Sequence, residues 1–169
     1  GDADPNPSLP LDSHGTFAAG CAAARSNNSL GVSGAAPLAT LAGIRLITDI
    51  PVTDAQLAQG LSHQNQAIHV KNNSWGPPDD TASLDDLLGP LAHAAVADGV
   101  AAGRGGRGVV YAWAAGNGLT GDDDVNYDGT ANSRHVIAVA AVNRVDYLLT
   151  WNCTHIANAA SLRFCLWRR

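Results

Sequence analysis

The sequence predicts an α/β protein built on a partial, doubly wound and mostly parallel sheet with helices on both faces. Two observations predict this class. Strand-like segments, most of them apolar runs without polar alternation, are typical of strands buried on both faces. Helix-favouring segments lie between them, so that helices and strands alternate along the chain. Right-handed crossovers then place the carboxyl ends of the strands at one edge, where sites in such sheets form.

Three helices are expected in the first two thirds of the chain. Residues 14–25 are rich in alanine and favour a helix. Residues 53–61 form a second, because Thr53 can cap its start. A third helix begins at Pro90, since proline suits the first helical position, and stops near Ala102 before a glycine-rich stretch.

Four strands are expected around these helices. Residues 41–47 read as a buried strand and residues 67–72 as a second. Residues 108–115 contain the clearest apolar run, and residues 135–142 form a further strand. The long segment between the last two strands is polar and contains four aspartates, which predicts a loop.

Composition narrows the possible functions. The net charge of −5 makes a nucleic-acid partner unexpected, and no segment is apolar enough to predict a membrane span. The chain contains no methionine and begins with Gly1, so we expect a processed product or a fragment. Three irregularly spaced cysteines do not form a disulfide framework. Cys21 is expected to be buried among alanines, and pairing of Cys153 with Cys165 stays open.

A histidine at the start of the first helix is a candidate general base. His14 lies in Asp-Ser-His-Gly-Thr, and a histidine at that position can present its imidazole at the edge of the sheet. The alternative is an ordinary surface histidine, and this pentapeptide alone does not separate the two interpretations.

Two further motifs follow predicted strand ends. Ser74, Trp75 and Gly76 follow the second strand and could offer backbone groups to an extended peptide. Asn117 lies between two glycines after the third strand, where its amide could donate to a developing oxyanion. The alternatives are a core tryptophan in the first motif and a turn asparagine in the second.

Taken together and in this order, the motifs resemble the subtilase family, and specifically its kexin–furin branch. The resemblance covers residues 2–142. It is carried by Asp-x-His-Gly-Thr-x-x-Ala-Gly at 12–20, Ser-Trp-Gly-Pro at 74–77 followed by Asp79-Asp80, Gly-Pro…Gly-Val…Gly-Arg-Gly-Gly at 89–106, Trp-Ala-x-Gly-Asn-Gly at 113–118 and Asn-x-Asp-Gly-x-x-Asn-Ser at 126–133.

The resemblance implies a role for each matching residue. His14 would be the triad histidine and Asn117 the side-chain donor of the oxyanion hole. Ser74, Trp75 and Gly76 would pair with the substrate backbone, and Asp79 and Asp128 would line a pocket for a basic residue. The resemblance also implies two calcium sites: one includes Asn28, and the second, beside the pocket, includes Asp79 and Asp123. For the aspartates at 122–124, a solvated acidic loop remains the alternative.

The sequence also departs from the family pattern. No Asp-Gly strand precedes His14 at the family's spacing, and no Gly-Thr-Ser occurs, so the triad aspartate and serine are both missing. We therefore expect a partial catalytic domain at 1–147 and a divergent tail at 148–169. The tail contains no carboxylate, which puts the second calcium site in doubt.

These observations predict an incomplete catalytic domain of a secreted, calcium-binding, kexin-like serine endopeptidase. Its partner would be a peptide or protein substrate, cleaved after basic residues through an acyl-enzyme. The alternative is a catalytically inactive subtilase-like scaffold that binds peptide or calcium.

We predict that the 169-residue chain does not react with a fluorophosphonate, because it lacks the serine motif whose nucleophile this reagent labels. Mass spectrometry of the treated chain, beside an active serine peptidase in the same buffer, measures labelling. Stoichiometric labelling that one serine substitution removes would contradict the prediction.

Overall fold

The computed structural model describes residues 13–47, 51–78, 84–118 and 123–139. The chain divides into two compact units, Gly1–Asp12 with Ala42–Ala141, and Ser13–Leu41 with Val142–Arg169. Each unit is described by itself. Within the described ranges, no helix combines the length and the apolar character that crossing a membrane requires.

A three-stranded parallel sheet forms the centre of the first unit. Its strands are β1 (Val70–Asn73), β2 (Val110–Ala114) and β3 (Ile137–Val139), and β2 lies between the other two. Asn73 lies opposite Trp113, and Trp113 lies opposite Ala138. The predicted parallel α/β class is confirmed, and the three strands end at one edge of the sheet.

The described residues contain three helices: α1 (His14–Ala23) in the second unit, and α2 (Asp54–Ser62) and α3 (Pro90–Gly106) in the first. The predicted cap of α2 is confirmed, because Thr53 and Gln56 form a reciprocal capping box. In α3 the helical conformation is interrupted at Gly103, where ψ is 152°, close to the predicted end at Ala102.

The start of α3 is capped from another helix. Gly89, at the N-cap position, has no side chain, and the Asp54 carboxylate accepts hydrogen bonds from the amides of Leu91 and Ala92, both at 2.9 Å. A carboxylate at a helix N-terminus satisfies amides that have no partner within the helix and complements the helix dipole. Asp54 therefore joins the start of α2 to the start of α3.

The two faces of the sheet differ in burial. One face is buried and packs against α2 and α3; its members are Lys71, Asn73, Tyr111 and Trp113. The close fit is clearest at Gly99 of α3, where a Cβ atom would overlap the Tyr111 hydroxyl. On the other face four apolar side chains remain between 39% and 58% exposed: Val70, Val110, Ile137 and Val139.

Two expectations were wrong. Residues 41–47 form no strand in the described structure, and Leu41 and Ile44 are exposed. An apolar run favours a strand, but a strand also needs a neighbour with which to pair, and the run does not specify one. Cys21 is an exposed free thiol rather than a buried residue, because the apolar sequence of α1 does not determine which of its sides is covered.

The buried face of the sheet contains one basic side chain. Lys71 is 6% exposed, and its Nζ donates to Leu61 O, His63 O and Asn65 Oδ1 at 2.6, 2.8 and 2.7 Å. Burial lowers the pKa of this ammonium from 10.5 to about 8, because the charged form loses its hydration.

We predict that stability rises with pH between about 8 and 10 because of Lys71. In this range the folded chain releases the Lys71 proton, whereas the unfolded chain, with the ordinary pKa of 10.5, still binds it. The free energy of unfolding should therefore rise, by at most about 1.4 kcal/mol per pH unit.

Denaturant unfolding followed by tryptophan fluorescence measures this rise at several pH values. The Lys71→Met variant, which has no titrating group at this position, is the control and should show no such rise. The range ends near pH 10, because burial raises the pKa of the Tyr111 hydroxyl and ionisation of the unfolded tyrosine then opposes the effect. Equal pH profiles for the two proteins would contradict the prediction.

Candidate functional site

The segment that follows β1 crosses the carboxyl edge of the sheet. The Ser74 hydroxyl accepts a hydrogen bond from the Asn72 amide at 2.8 Å, and both residues lie at the end of the strand. Trp75 is half-buried and packs edge to face on the buried Trp113, with ring centroids 4.5 Å apart. This aromatic contact fixes the position of the backbone that leads into Gly76.

Asn117 follows β2 at the same edge. The amide of Ala115 donates to Val139 O, which extends the pairing with β3, and Gly116 then turns the chain with a φ of 94° that favours glycine. Asn117 is exposed. Gly118 is buried against Asp123, whose Cβ would be 2.3 Å from a Cβ added at Gly118. A small residue at 118 thus allows the acidic loop to approach Asn117.

Asp128 lies next to the segment after β1. A Cβ atom added at Gly76 would be 3.8 Å from Asp128 Oδ2, which is ordinary van der Waals contact. The other carboxylate oxygen, Oδ1, accepts hydrogen bonds from the amides of Thr130 and Ala131 at 2.8 and 2.9 Å. The two amides hold the carboxylate in place and leave Oδ2 on the side of Gly76.

Two further aspartates lie beside Asp128. Asp85 pairs with Asp128 through a parallel β-bridge. Asp86 accepts hydrogen bonds from the Thr130 hydroxyl at 2.9 Å and from the amide of Leu88 at 3.2 Å. Its second oxygen, Oδ2, lies 2.8 Å from His93 Nε2 on α3. Three carboxylates therefore gather where the chain approaches Gly76.

The electrostatics of Asp128 follow from this arrangement. Burial raises the pKa of its carboxyl, because the charged form loses hydration. The amides of Ala131 and Thr130 oppose the rise by stabilising the carboxylate, whereas the nearby Asp86 and Asp85 favour protonation. The two acidic neighbours thus add to the effect of burial on the Asp128 carboxyl.

The remaining predicted site residues are divided between the two units. His14 is the exposed first residue of α1, and Asn28 lies in the loop after it, where its Oδ1 accepts from the amide of Leu30 at 3.1 Å. Both belong to the second unit. Asp123 belongs to the first unit, and Asp79 lies outside the described residues.

Calcium was predicted at Asn28, Asp79 and Asp123. The described ranges contain no group of three or more aspartate, histidine or cysteine side chains that could hold a metal ion. Asp123 Oδ1 accepts a hydrogen bond from the amide of Asp124 at 2.9 Å. Asp79, the predicted partner of Asp123, lies outside the described residues, so both calcium sites stay predictions.

Four residues near Asp128 were not predicted from the sequence to belong to this site: Asp85, Asp86, His93 and Thr130. The paired aspartates stand shortly before the proline that begins α3, and an acidic pair at a helix entrance is a visible signal. Their meeting with Thr130 is not visible in the sequence, because that contact spans 44 residues.

The chain is similar to known proteins over most of its length. Residues 1–165 match the model of the subtilase family. The chain is 40% identical over 146 residues to human proprotein convertase subtilisin/kexin type 4, covering 85% of this chain and 19% of the relative. It is 40% identical over 141 residues to a dibasic-processing endoprotease of Schizosaccharomyces pombe, covering 83% and 20%.

A third relative, neuroendocrine convertase 2 of Sus scrofa, is 42% identical over 136 residues, which cover 79% of this chain and 21% of the relative. The chain thus spans about a fifth of the length of the curated relatives it matches.

We predict that Gly129→Ala destabilises the first unit by about 1–3 kcal/mol, a usual range for an overpacked site. A Cβ atom at Gly129 would be 2.6 Å from Asp86 Oδ2, so it would displace this carboxylate from His93. Gly76→Ala is the matched control, because its added methyl has only the ordinary contact of 3.8 Å with Asp128.

Denaturant unfolding of the two variants and the parent chain measures the difference in the free energy of unfolding. Equal stability of the two variants would contradict the proposed crowding at Asp86.

Proposed function

Since the chain belongs to the subtilase family, we propose that it forms part of a serine endopeptidase of the subtilisin/kexin-like type, which cleaves peptides next to basic residues. Membership of the family rests on the match over residues 1–165 and on relatives about 40% identical. Because the chain spans about a fifth of those relatives, the activity of a whole enzyme is itself part of the proposal.

The position of Asp128 is the observation that carries the proposal. Its Oδ2 lies beside Gly76, on the segment that would pair with a substrate backbone, and two further carboxylates stand close to it. An extended peptide on this segment would place a side chain near these carboxylates. An arginine or lysine side chain at that point would gain a charge-assisted hydrogen bond with Asp128.

The chemistry would require two further groups of this chain. The His14 imidazole would accept the proton of an attacking serine hydroxyl and later return it to the leaving amine. The Asn117 amide would donate to the carbonyl oxygen as negative charge develops on it. The exposed Asn117 at the carboxyl edge, one glycine after the end of the β2–β3 pairing, supports this role.

A second candidate function is a peptide-binding scaffold without turnover. The segment after β1, whose position the contact of Trp75 with Trp113 fixes, favours it, because a peptide can bind there without a nucleophile. Both candidates use the same edge for the peptide, and they differ only in the bond-breaking step. Peptide binding is therefore the property to test first.

Calcium and a secreted location complete the proposal. Oxygen ligands in loops suit calcium, and from their match to the family pattern we propose Asp79 and Asp123 as ligands of one calcium ion and Asn28 as a ligand of another. The secreted location is proposed from the family resemblance, since convertases are among the relatives.

We predict that the chain binds an arginine-containing peptide more tightly than the same peptide with citrulline, which has a similar shape without the charge. Asp128→Asn should weaken binding of the arginine peptide by about tenfold or more, because it leaves the guanidinium without its charged partner. Fluorescence anisotropy of the labelled peptides measures both affinities. Since burial raises the pKa of Asp128, acidification that protonates it should also weaken binding.

Asp98→Asn is the matched control, because it removes the same charge from an exposed position on α3. It should leave the preference for arginine unchanged. Equal loss in the two variants would mean that only the net charge matters. Equal affinity for the arginine and citrulline peptides would contradict the proposed preference for a basic side chain.

A further inference from the structure

The end of α2 forms a cluster of three oxygen atoms around the Lys71 ammonium. Leu61 O belongs to the last turn of α2, His63 O to the residue that ends it, and Asn65 Oδ1 to the turn that follows. All three lie within 2.8 Å of Nζ. We call these three oxygens the carbonyl cage. Lys71 is the single lysine of the chain.

The number of donors matches the number of acceptors. An ammonium group has three N–H donors and no acceptor, so each of its protons meets one oxygen of the carbonyl cage. A neutral amine has two N–H donors, and its lone pair would face the third oxygen. The carbonyl cage therefore matches the ammonium in its number of hydrogen bonds, and these bonds offset part of the hydration that burial removes.

Tyr111 also contacts two oxygens of the carbonyl cage. The Tyr111 hydroxyl donates to Leu61 O at 2.8 Å, and it lies 3.3 Å from Asn65 Oδ1. The Tyr111 ring centroid lies 5.7 Å from Nζ, within the range of a cation–π interaction. Leu61 O and Asn65 Oδ1 thus each keep a contact that does not involve Lys71.

The charge is stabilised by neutral groups. The hydrogen-bond partners of Lys71 among the described residues are two backbone carbonyls and one side-chain amide, with the Tyr111 ring nearby. Carbonyls at the end of a helix carry partial negative charge and have no partner within the helix. Backbone and amide oxygens are also ligands of hard cations in proteins.

We propose that the carbonyl cage is an ammonium-binding site whose cation Lys71 supplies from within the chain, and that without Lys71 it binds a small primary ammonium ion. This site lies apart from the peptide-binding edge, and the inference is independent of the proposed function. Its consequence is that a cation holds the loop after α2 against β1.

Lys71→Ala tests this by removing a propylammonium group from the side chain. The variant should melt at a lower temperature than the parent, and n-propylammonium chloride should restore most of the loss in a saturable manner. The parent chain should not respond. Asn65→Ala in the Lys71→Ala background should remove the response, because the carbonyl cage then has only two oxygens.

Two additives at the same concentration as propylammonium separate the effects of charge, of N–H donors and of shape on the melting temperature. Tetramethylammonium chloride has the charge but no N–H donor, and n-propanol has the shape but no charge. Neither should restore the melting temperature. A response to tetramethylammonium equal to that of propylammonium, or an equal response to propanol, would overturn the proposal, as would no response to propylammonium.

The parent chain offers a second test if Lys71→Ala does not fold. With one lysine in the chain, ¹⁵N-lysine labelling gives one Nζ resonance. Near neutral pH this resonance should belong to an ammonium whose protons exchange with water much more slowly than those of free lysine. Exchange as fast as in free lysine would show that the carbonyl cage does not hold the ammonium.

Discussion

The parallel pairing of β2 with a strand on each side is the constraint on which the first unit depends. It sets Asn73 beside Trp113 and Trp113 beside Ala138, so that three strands end at one edge. The same register places Lys71 and Tyr111 together on the buried face. The edge can then display Asn117 after β2, because α2 and α3 pack on the face behind it rather than across the edge.

Opposite charges complete two helix ends in this unit. The Asp54 carboxylate lies at the start of α3, and the Lys71 ammonium lies at the end of α2. Each charge has the sign that the helix dipole favours, and each satisfies backbone groups that a helix leaves without partners. Both come from a different element than the end they complete. Helix ends therefore link the elements of this unit in addition to the apolar packing.

Local chemistry predicted most of the elements, and long-range contacts account for what it missed. Thr53 and Pro90 marked helix starts correctly because a cap acts within its own turn. Residues 41–47 failed as a strand because pairing depends on a neighbour elsewhere in the chain. The motif that contains Asp128 could be recognised in the sequence. Its contacts with the segment of Asp85 and Asp86 could not, because only folding brings residues so far apart in the chain together.

The burial of Lys71 also determines how a protease can cleave the chain. An endopeptidase specific for lysine has one bond to cut in this sequence, the bond that follows Lys71. That enzyme must bind the lysine side chain in its own pocket. In the folded chain, however, the Lys71 ammonium donates to three oxygens, and the residue is 6% exposed. Cleavage therefore requires β1 to leave the sheet, and its rate reports how often this edge strand opens.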